Sequence, residues 1–288
     1  MILQKVVLPV AGLGTRLLSV TKEQPKEMLP VFTLGADKQT RLNPIIQLIF
    51  EQLFNVGFRD FCFIVGKNKR IIEDHFTADT EFLNSLQSKE KRQYAYDLLN
   101  FFDKINKSTL IWINQPQPLG FGHAVLQAKS YVGNERFLLH AGDTLILSRK
   151  NSHIKKLIDC HTRNNAVASF IVQEIQDPRQ YGVIDGKTRN NTIRVTDLEE
   201  KPKRPKTNLA IMPIYIFEPI IFDYLKMTRP KKLNEIQLTD AISQMVKDGL
   251  KVYAVNLTDE MVQMDIGNPE SYWESLRTSR EFVLSAKR

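Results

Sequence analysis

The 288-residue sequence contains only two cysteines, Cys62 and Cys160, which lie far apart on apolar segments. Two isolated cysteines cannot form a disulfide framework or the paired spacing of a zinc knuckle. The sequence also lacks an apolar run of the roughly 18 residues that a membrane-spanning helix requires. Its first apolar stretch, residues 6–13, leads into a Gly-Leu-Gly turn rather than a small-residue cleavage site, which disfavours a secretory signal. We therefore expect a soluble, cytoplasmic protein with buried free thiols.

Low-complexity tracts and short repeats are absent, and hydrophobic and charged fractions of 42% and 25% are ordinary for a globular protein. Forty basic residues against thirty-two acidic ones give a formal net charge of +8, which favours anionic partners. The sequence has no dense arginine block with interleaved aromatic residues, which is the pattern that would indicate nucleic-acid binding. Two basic runs, residues 201–206 and 226–232, are interrupted by proline and are typical of solvated loops. We expect neither nucleic acid nor a membrane as a partner.

Several common catalytic motifs are missing. The five histidines show no metal-ligand spacing, and no nucleophile elbow indicates covalent catalysis by a serine. His123 lies at a predicted helix start, where either packing or phosphate contact is expected. A glycine loop, AGLGTR at residues 11–16, has Leu17 where the third glycine of a dinucleotide fingerprint would stand, and no Gly-Lys-Ser/Thr of a P-loop occurs. An NAD-dependent oxidoreductase is therefore disfavoured.

The pattern of apolar residues predicts alternating strands and helices. Strands are predicted at residues 6–10, 61–65, 110–113, 137–139, 166–173, 181–185, 193–198, 209–217 and 251–255. Helices are predicted after Asn43-Pro44 and Asn268-Pro269, where asparagine would cap and proline would begin the helix, near Gly122, over residues 238–247, and within the polar segment 80–106. This alternation is typical of βαβ units on a parallel sheet. We expect one α/β domain over residues 1–288, Rossmann-like, with a mixed, mainly parallel sheet flanked by helices and a less regular second half forming a smaller subdomain.

The glycine loop and two nearby cations predict an anion site. Glycines after a strand let the backbone approach a ligand closely, and exposed N–H groups attract phosphate. Arg16 and Lys26 place two positive charges beside this loop. A triphosphate requires such charges because its oxygens repel one another and any approaching anion. Taken singly, the loop could be a tight strand-exit turn and Lys26 a surface lysine.

The chain carries an ordered set of short motifs. They are AGLGTR (11–16), PKEMLP (25–30), KRIIEDHF (69–76), NQPQPLGFGHAV (114–125), GDT (142–144), YGVID (181–185), LEEKP (198–202), NLAI (208–211), EIQLTDAI (235–242) and MDIG (264–267). In this order the set resembles the sugar-1-phosphate nucleotidylyltransferases, and most of all the UTP–glucose-1-phosphate uridylyltransferases. The resemblance implies a nucleotidyltransferase fold of GT-A-like type. It also implies a nucleotide-binding half over about residues 1–145 and a sugar-phosphate-binding half, with the C-terminal helix, over about residues 146–288.

The resemblance further implies roles for individual residues. The nucleotide would be bound by Ala11, Gly12, Leu13, Gly14, Thr15, Arg16, Lys26, Gln115 and Gly120. Gln115 and Gly120 would meet the base, where a side-chain amide offers uracil one donor and one acceptor. The sugar phosphate would be bound by Gly182, Glu200 and Lys201, and Mg²⁺ by Asp143 and Asp265. Catalysis would rest on Arg16, Lys26, Asp143 and Lys201.

The implied reaction is Mg²⁺-dependent transfer of a uridylyl group from UTP to glucose 1-phosphate by direct in-line displacement, giving UDP-glucose and pyrophosphate. A phosphate is already an anion at neutral pH, so the reaction needs no general base. A homo-oligomer, either dimer or tetramer, is also implied. The alternatives are transfer from dTTP, GTP or CTP, and a catalytically silent nucleotide-sensing regulatory subunit, which would be expected to lose some of the charged site residues.

Three features of the sequence depart from the family pattern. Thr144 stands where the second aspartate of Gly-Asp-Asp is common in the family. Met212-Pro213 follows NLAI where Gly-Arg is usual, and residues 32–42 form a longer loop. We expect the first two to affect sugar selectivity and the loop to affect regulation or assembly.

Glu200 and Lys201 are adjacent, so both can face one ligand only where the strand twists or ends. Pro202 favours such an end.

Overall fold

A computed structural model describes residues 3–86, 91–230, 234–258 and 260–286. Its strands are β1 (Lys5–Val10), β2 (Pro30–Leu34), β3 (Thr40–Pro44), β4 (Asp60–Val65), β5 (Thr109–Asn114), β6 (Phe137–His140), β7 (Thr144–Leu147), β8 (Ala168–Glu174), β9 (Gly182–Arg189), β10 (Thr192–Glu200), β11 (Leu209–Phe217), β12 (Val252–Asn256) and β13 (Val262–Asp265). Its α-helices are α1 (Ile45–Val56), α2 (Arg70–His75), α3 (Thr80–Ser85), α4 (Arg92–Asn106), α5 (Phe121–Gln127), α6 (Lys129–Val132), α7 (Ser152–Arg163), α8 (Ile221–Met227), α9 (Leu238–Lys247) and α10 (Pro269–Ala286).

The central sheet has nine strands within the described residues, in the order β5-β4-β1-β6-β11-β8-β12-β10-β9. β5, β4, β1 and β6 are parallel, as strand–helix–strand units predict. β11 is antiparallel to β6 and β8, and β10 is antiparallel to β9 and β12, whereas β8 and β12 are parallel. The expected mixed α/β sheet is therefore confirmed, but within the described residues it is not mainly parallel, because four pairings are parallel and five are antiparallel. Its parallel pairing lies mainly in the first half of the chain and its antiparallel pairing in the second.

The core covers both faces of this sheet. Alternate residues of a strand point to opposite faces, and in β1 both sets are buried. Val6 packs in one cluster with Ile49 of α1, and Val7 packs in a second cluster with Val125 of α5, all four being fully buried. Burial on both faces explains why β1 and β4 appear in the sequence as continuous apolar runs.

Most predicted elements are present, and two match to the residue: β11 and α9. The start of α10 is also confirmed, because Asn268 Oδ1 accepts a hydrogen bond from the Ser271 N–H at 2.9 Å. The prediction that Asn43 caps α1 and that Pro44 begins it is wrong. Asn43 and Pro44 end β3, so the helix begins at Ile45 and Pro44 precedes it without a side-chain cap. Within the predicted helical segment 80–106, α3 and α4 are confirmed and residues 87–90 lie outside the described residues.

The segment 32–42 is not a loop. It forms most of the antiparallel hairpin β2–β3. Arg41 fixes the hairpin, with Nη2 2.7 Å from Asp37 Oδ2 and Nε 3.0 Å from Asp97 Oδ2 of α4. The pattern of apolar residues did not reveal these strands because much of the hairpin is exposed.

Both cysteines are free and buried, as predicted, and burial raises the pKa of Cys62 to about 12. No described helix has the length and apolar character needed to cross a membrane.

Candidate active site

A cleft of about 380 Å³ lies at the carboxyl ends of the parallel strands β5, β1 and β6. The segments that follow these strands, residues 115–120, 11–16 and 141–143, all contribute to its walls. Parallel strands bring their carboxyl ends to one edge of a sheet, and ligands bind there in open α/β folds. The topology therefore explains why motifs distant in sequence meet around one space.

The glycine loop reaches the cleft through an unusual backbone conformation. Gly14 has φ of 66°, in the left-handed region, and a Cβ added to it would lie 3.0 Å from the Cβ of Thr21. Thr21 Oγ1 donates to the Gly14 carbonyl at 2.8 Å, which fixes the turn. Arg16 follows in a short 3₁₀ turn, exposed at the rim, while Leu17 is buried and anchors the loop.

Lys26 lies between two carboxylates on the cleft wall. Its Nζ forms an ion pair with Asp143, and the next residue, Glu27, is buried and paired with Lys69 at 2.9 Å. Burial alone would lower the pKa of Lys26, but the charges of Asp143 and Glu27 outweigh burial and raise it. Lys26 is therefore held positively charged at neutral pH.

Asp143 and Asp265 are brought together by the small antiparallel sheet of β7 and β13. This sheet pairs Thr144 with Asp265, and the Ile266 N–H donates to the Asp143 carbonyl at 3.0 Å. Burial and the neighbouring Asp143 raise the pKa of Asp265 to about 6, against the lowering effects of Lys26, Thr144 and Arg16. Two acidic side chains, poorly hydrated and close to one another, form an environment that a cation would stabilise.

This donor set fits Mg²⁺. Magnesium commonly takes one or two protein carboxylates and leaves its other positions to substrate oxygens and water. Among residues 3–86, 91–230, 234–258 and 260–286, no group of three or more His, Cys, Asp or Glu side chains is placed to hold a metal ion. The carboxylate pair is therefore suited to a metal that is completed by phosphate oxygens.

A second cavity of about 250 Å³ adjoins the cleft and shares Asp143 and Lys201 with it. β10 ends at Glu200, and Lys201 has φ of 46°, so the chain turns where the two side chains meet the cavity. The Lys201 N–H donates to the Tyr181 carbonyl at 3.0 Å, and its Nζ lies 3.4 Å from Glu200 Oε1. The strand end that adjacent residues need in order to share a ligand is therefore present.

Gly182 lies opposite Glu200 in the β9–β10 pairing. A Cβ at this position would lie 3.1 Å from Ile211 Cδ1 and 3.3 Å from Glu200 Oε2. Glycine thus keeps the wall of the second cavity open.

Gln115 and Gly120 face each other at the opposite end of the cleft. Gln115 is only 8% exposed, and its Nε2 donates to the Gly120 carbonyl at 3.2 Å and lies 3.0 Å from His123 Nδ1. The side-chain amide of Gln115 is therefore in contact with both Gly120 and His123, and the expectation that it offers a base one donor and one acceptor stays a prediction. His123 packs against Gln115, and a phosphate contact of His123 also stays a prediction.

Glu27, Phe121, Glu235 and Gln237 also line the cleft, although no role was predicted for them. The segment around Glu235 reaches the site because the Ile236 N–H donates to the Leu119 carbonyl at 2.8 Å. The EIQLTDAI motif, whose last five residues begin α9, was the available signal for Glu235 and Gln237.

Thr144 donates to Asp265 Oδ1 at 3.4 Å, so this departure from the family pattern acts at the carboxylate pair. Pro213 lines the second cavity. Their effect on sugar selectivity stays a prediction.

The predicted site residues thus converge on two connected spaces. The cleft is lined by Ala11, Gly12, Leu13, Gly14, Thr15, Arg16, Lys26, Gln115, Gly120, Asp143 and Lys201. The adjoining cavity is lined by Asp143, Gly182, Glu200, Lys201 and Asp265. The roles of these residues stay predictions.

Comparison with known proteins identifies relatives along nearly the whole chain. The family model described as nucleotidyl transferase matches residues 5–281. A UTP--glucose-1-phosphate uridylyltransferase of Staphylococcus epidermidis is 37% identical over 295 residues, which cover 98% of this chain and 93% of the relative. The crystal structure of a UDP-glucose pyrophosphorylase complexed with UDP-glucose is similar with a TM-score of 0.82 and 30% identity, covering 98% of this chain and all of that one. A UTP-bound UGPase from Acinetobacter baumannii has a TM-score of 0.82 at 28% identity, covering 100% and 99% of the two chains.

Proposed function

Because the chain belongs to the nucleotidyl transferase family, we propose that it transfers the uridylyl group of UTP to glucose 1-phosphate, giving UDP-glucose and pyrophosphate. One observation carries the proposal: the cleft of the glycine loop and the cavity of Glu200 share a wall at Asp143 and Lys201. Two ligands bound in these spaces would meet at a shared, charged boundary. A relative that is 37% identical carries the name UTP--glucose-1-phosphate uridylyltransferase, which supports these substrates.

In this proposal, residues 1–145 provide most of the nucleotide site, and residues 146–288 provide most of the sugar-phosphate site. The glycine loop holds the ribose and phosphates through its backbone N–H groups. Arg16 and Lys26 hold the β- and γ-phosphates that leave as pyrophosphate. Gln115 and Gly120 contact the base.

The sugar phosphate binds on the other side of the shared wall. Lys201 pairs with the 1-phosphate, and Glu200 accepts hydrogen bonds from sugar hydroxyls. Gly182 leaves space for the ring, since a side chain there would approach Ile211 and Glu200. By pairing with the 1-phosphate, Lys201 orients the phosphate oxygen toward the α-phosphorus of UTP.

The chemical step needs positioning and charge rather than a proton acceptor. The phosphate oxygen attacks in line, opposite the departing pyrophosphate. Effective molarities of well-oriented partners reach about 10⁵–10⁸ M, equivalent to about 7–11 kcal/mol of the barrier. Lys26 and Arg16 stabilise the charge that develops on the leaving group. We propose that Asp143 and Asp265 hold Mg²⁺, which supplies further positive charge to the phosphate oxygens when bound.

We also propose that the protein acts in the cytoplasm as a homo-oligomer, a dimer or a tetramer. Light scattering after size-exclusion chromatography measures the assembly directly. A monomer at micromolar concentration would remove that part of the proposal.

The function is tested by incubating the protein with Mg²⁺, one nucleoside triphosphate and one sugar 1-phosphate, and measuring pyrophosphate release. UTP with glucose 1-phosphate should give the highest kcat/KM among UTP, dTTP, CTP and GTP, each tested with glucose and galactose 1-phosphates. Omitting the sugar phosphate is the control for simple hydrolysis. Binding of UTP without pyrophosphate release from any pair would instead indicate a silent nucleotide sensor. A preference for another nucleotide would overturn the substrate assignment.

A further inference from the structure

A fully buried histidine lies just ahead of the segment that carries Asp143. His140 is the last residue of β6, and Asp143 follows three residues later. The Nδ1 atom of His140 lies 2.8 Å from the carbonyl oxygen of Ala141. Ala141 and Asp143 line both the cleft and the adjoining cavity, whereas His140 lines neither. His140 therefore lies behind the wall that the two spaces share.

The short segment from Ala141 to Asp143 is also held by backbone hydrogen bonds to three other parts of the chain. None of these bonds involves the Ala141 carbonyl, which is the group that His140 contacts. The bonds are those of the Ala141 N–H to the Pro213 carbonyl at 3.0 Å, the Gly142 N–H to the Pro9 carbonyl at 3.3 Å, and the Ile266 N–H to the Asp143 carbonyl at 3.0 Å.

The proton of the His140 ring is placed by its partner. A backbone carbonyl can only accept, so Nδ1 must carry the hydrogen. Burial lowers the pKa of His140 to about 4, so the ring is neutral at pH 7 and Nε2 is unprotonated. The Nε2 atom is buried and has no hydrogen-bond partner among the described residues. The hydrogen bond to Ala141 is thus the only one that this ring makes within the described part of the chain.

Loss of this bond would reach Asp143 through the peptide group between Ala141 and Gly142. A Cβ at Gly142 would lie 2.5 Å from Val10 Cγ1, so the position requires glycine. Glycine restricts backbone rotation less than any other residue, so an outside contact has to fix this peptide group. Ala141 is only 5% exposed, and a buried carbonyl without a donor is costly. Without His140 the carbonyl would turn toward water in the cleft and displace the neighbouring Asp143.

We propose that His140 is a positioning residue for the metal site, which holds the Asp143 carboxylate in place through the Ala141 carbonyl. This inference rests on the proposed function, because it assumes that Asp143 holds Mg²⁺ while UTP is bound. Groups that orient a metal ligand without touching the metal change metal affinity or activity about 10- to 100-fold when they are removed.

Two substitutions of His140 separate the hydrogen bond from packing. His140→Asn places an amide N–H where Nδ1 stands, because both nitrogens are bonded directly to the γ-carbon. His140→Leu fills similar space without a donor, and both variants lack Nε2. We expect His140→Leu to raise the Mg²⁺ concentration for half-maximal pyrophosphate release about tenfold or more, and His140→Asn to keep it close to the wild-type value.

Binding of UTP gives a second readout that needs no turnover. Calorimetry without a sugar phosphate measures the Kd of UTP in Mg²⁺ and in EDTA. In the wild-type protein Mg²⁺ should tighten binding, because the Asp143 and Asp265 carboxylates repel a triphosphate unless a cation lies between them. His140→Leu should reduce this gain about tenfold, with little change in the Kd measured in EDTA. His140→Asn should retain most of the gain.

His161→Leu is the matched control, since it removes another buried histidine. His161 is 2% exposed, and its ring nitrogens lie 3.0 Å from Ser169 Oγ and 3.4 Å from Glu218 Oε1. None of these three residues lines the cleft or the adjoining cavity. The control should lower thermal stability and leave the Mg²⁺ dependence unchanged. An equal shift in His161→Leu, or a shift in His140→Asn as large as in His140→Leu, would overturn the proposal.

A measurement on the unaltered protein avoids dependence on folded variants. In ¹⁵N-histidine-labelled protein, the His140 ring should be neutral and protonated at Nδ1, and an Nε2–H ring would overturn the proposal. Failure of the wild-type protein to form UDP-glucose would remove the proposed function. Formation of UDP-glucose with an unchanged Mg²⁺ dependence in His140→Leu would remove only the role of His140.

Discussion

Lys69→Met should destabilise the protein by about 3–5 kcal/mol, because it leaves a buried carboxylate without its hydrogen-bonded cation. Lys69 Nζ lies 2.9 Å from Glu27 Oε2, and the two side chains are only 8% and 2% exposed. Lys26 is the other nearby cation, but it is paired with Asp143. Methionine keeps nearly the same length and volume, so the cost of a cavity is small.

The loss should depend on pH. Burial already raises the pKa of Glu27, against the lowering effects of Lys69 and Lys26. Without Lys69 this pKa rises further, so folded Glu27 retains a proton that the unfolded chain has released. Stability then falls as pH rises from the unfolded pKa, about 4.3, to the folded pKa, by up to about 1.4 kcal/mol per pH unit. Because the loss grows with pH above about 4.3, the variant should resemble the wild-type protein more closely at pH 5 than at pH 7.

Urea unfolding followed by circular dichroism at pH 5 and pH 7 measures both effects. Lys67→Met is the matched control, since Lys67 is exposed two residues earlier and should stay within about 0.5 kcal/mol of the wild-type protein. Glu27→Leu combined with Lys69→Met should recover most of the loss, because it removes the stranded charge. A loss below about 1 kcal/mol at neutral pH, or an equal loss at both pH values, would refute this reasoning.

Three further substitutions test the candidate site. Lys26→Ala should lower kcat about 10- to 150-fold with little change in the unfolding midpoint, since a charge-assisted phosphate contact is lost; near-normal turnover would remove its assigned role. Asp143→Asn should move the Mg²⁺ titration of activity to higher concentrations, and an unchanged titration would argue against a metal ligand. Gly120→Ala should lower thermal stability and weaken UTP binding in calorimetry, because φ is 96° and the added Cβ would lie 2.9 Å from Glu235 Cβ; a wild-type melting curve with unchanged affinity would contradict this.

The elements that the sequence predicted well are those whose pattern is set by burial. β11 and α9 were placed to the residue because their ends coincide with the ends of apolar patterning. The hairpin β2–β3 was not predicted, because exposed strands carry little alternation and because Arg41 pairs not only with Asp37 of the turn but also with Asp97 of a helix distant in sequence. The first helix began later than expected because Asn43 and Pro44 serve the strand.

The candidate site was also predicted only in part from the sequence. The resemblance pointed to Asp143 and Asp265, but only the pairing of β7 with β13 explains how residues so far apart in sequence meet. The side chain of Gln115 donates to the Gly120 carbonyl at 3.2 Å, a contact that no motif specifies. Glu235 and Gln237 reach the cleft through a backbone hydrogen bond between Ile236 and Leu119, which sequence alone does not reveal.

The central claim is that UTP and glucose 1-phosphate occupy the two connected spaces together and react directly. The stereochemical course at the α-phosphorus tests this most sharply, using UTP made chiral there with sulfur and reading the configuration of the UDP-glucose product by phosphorus NMR. A single in-line displacement predicts inversion of configuration. Retention would require two successive displacements, and hence a covalent nucleotidyl-enzyme, which would contradict the account.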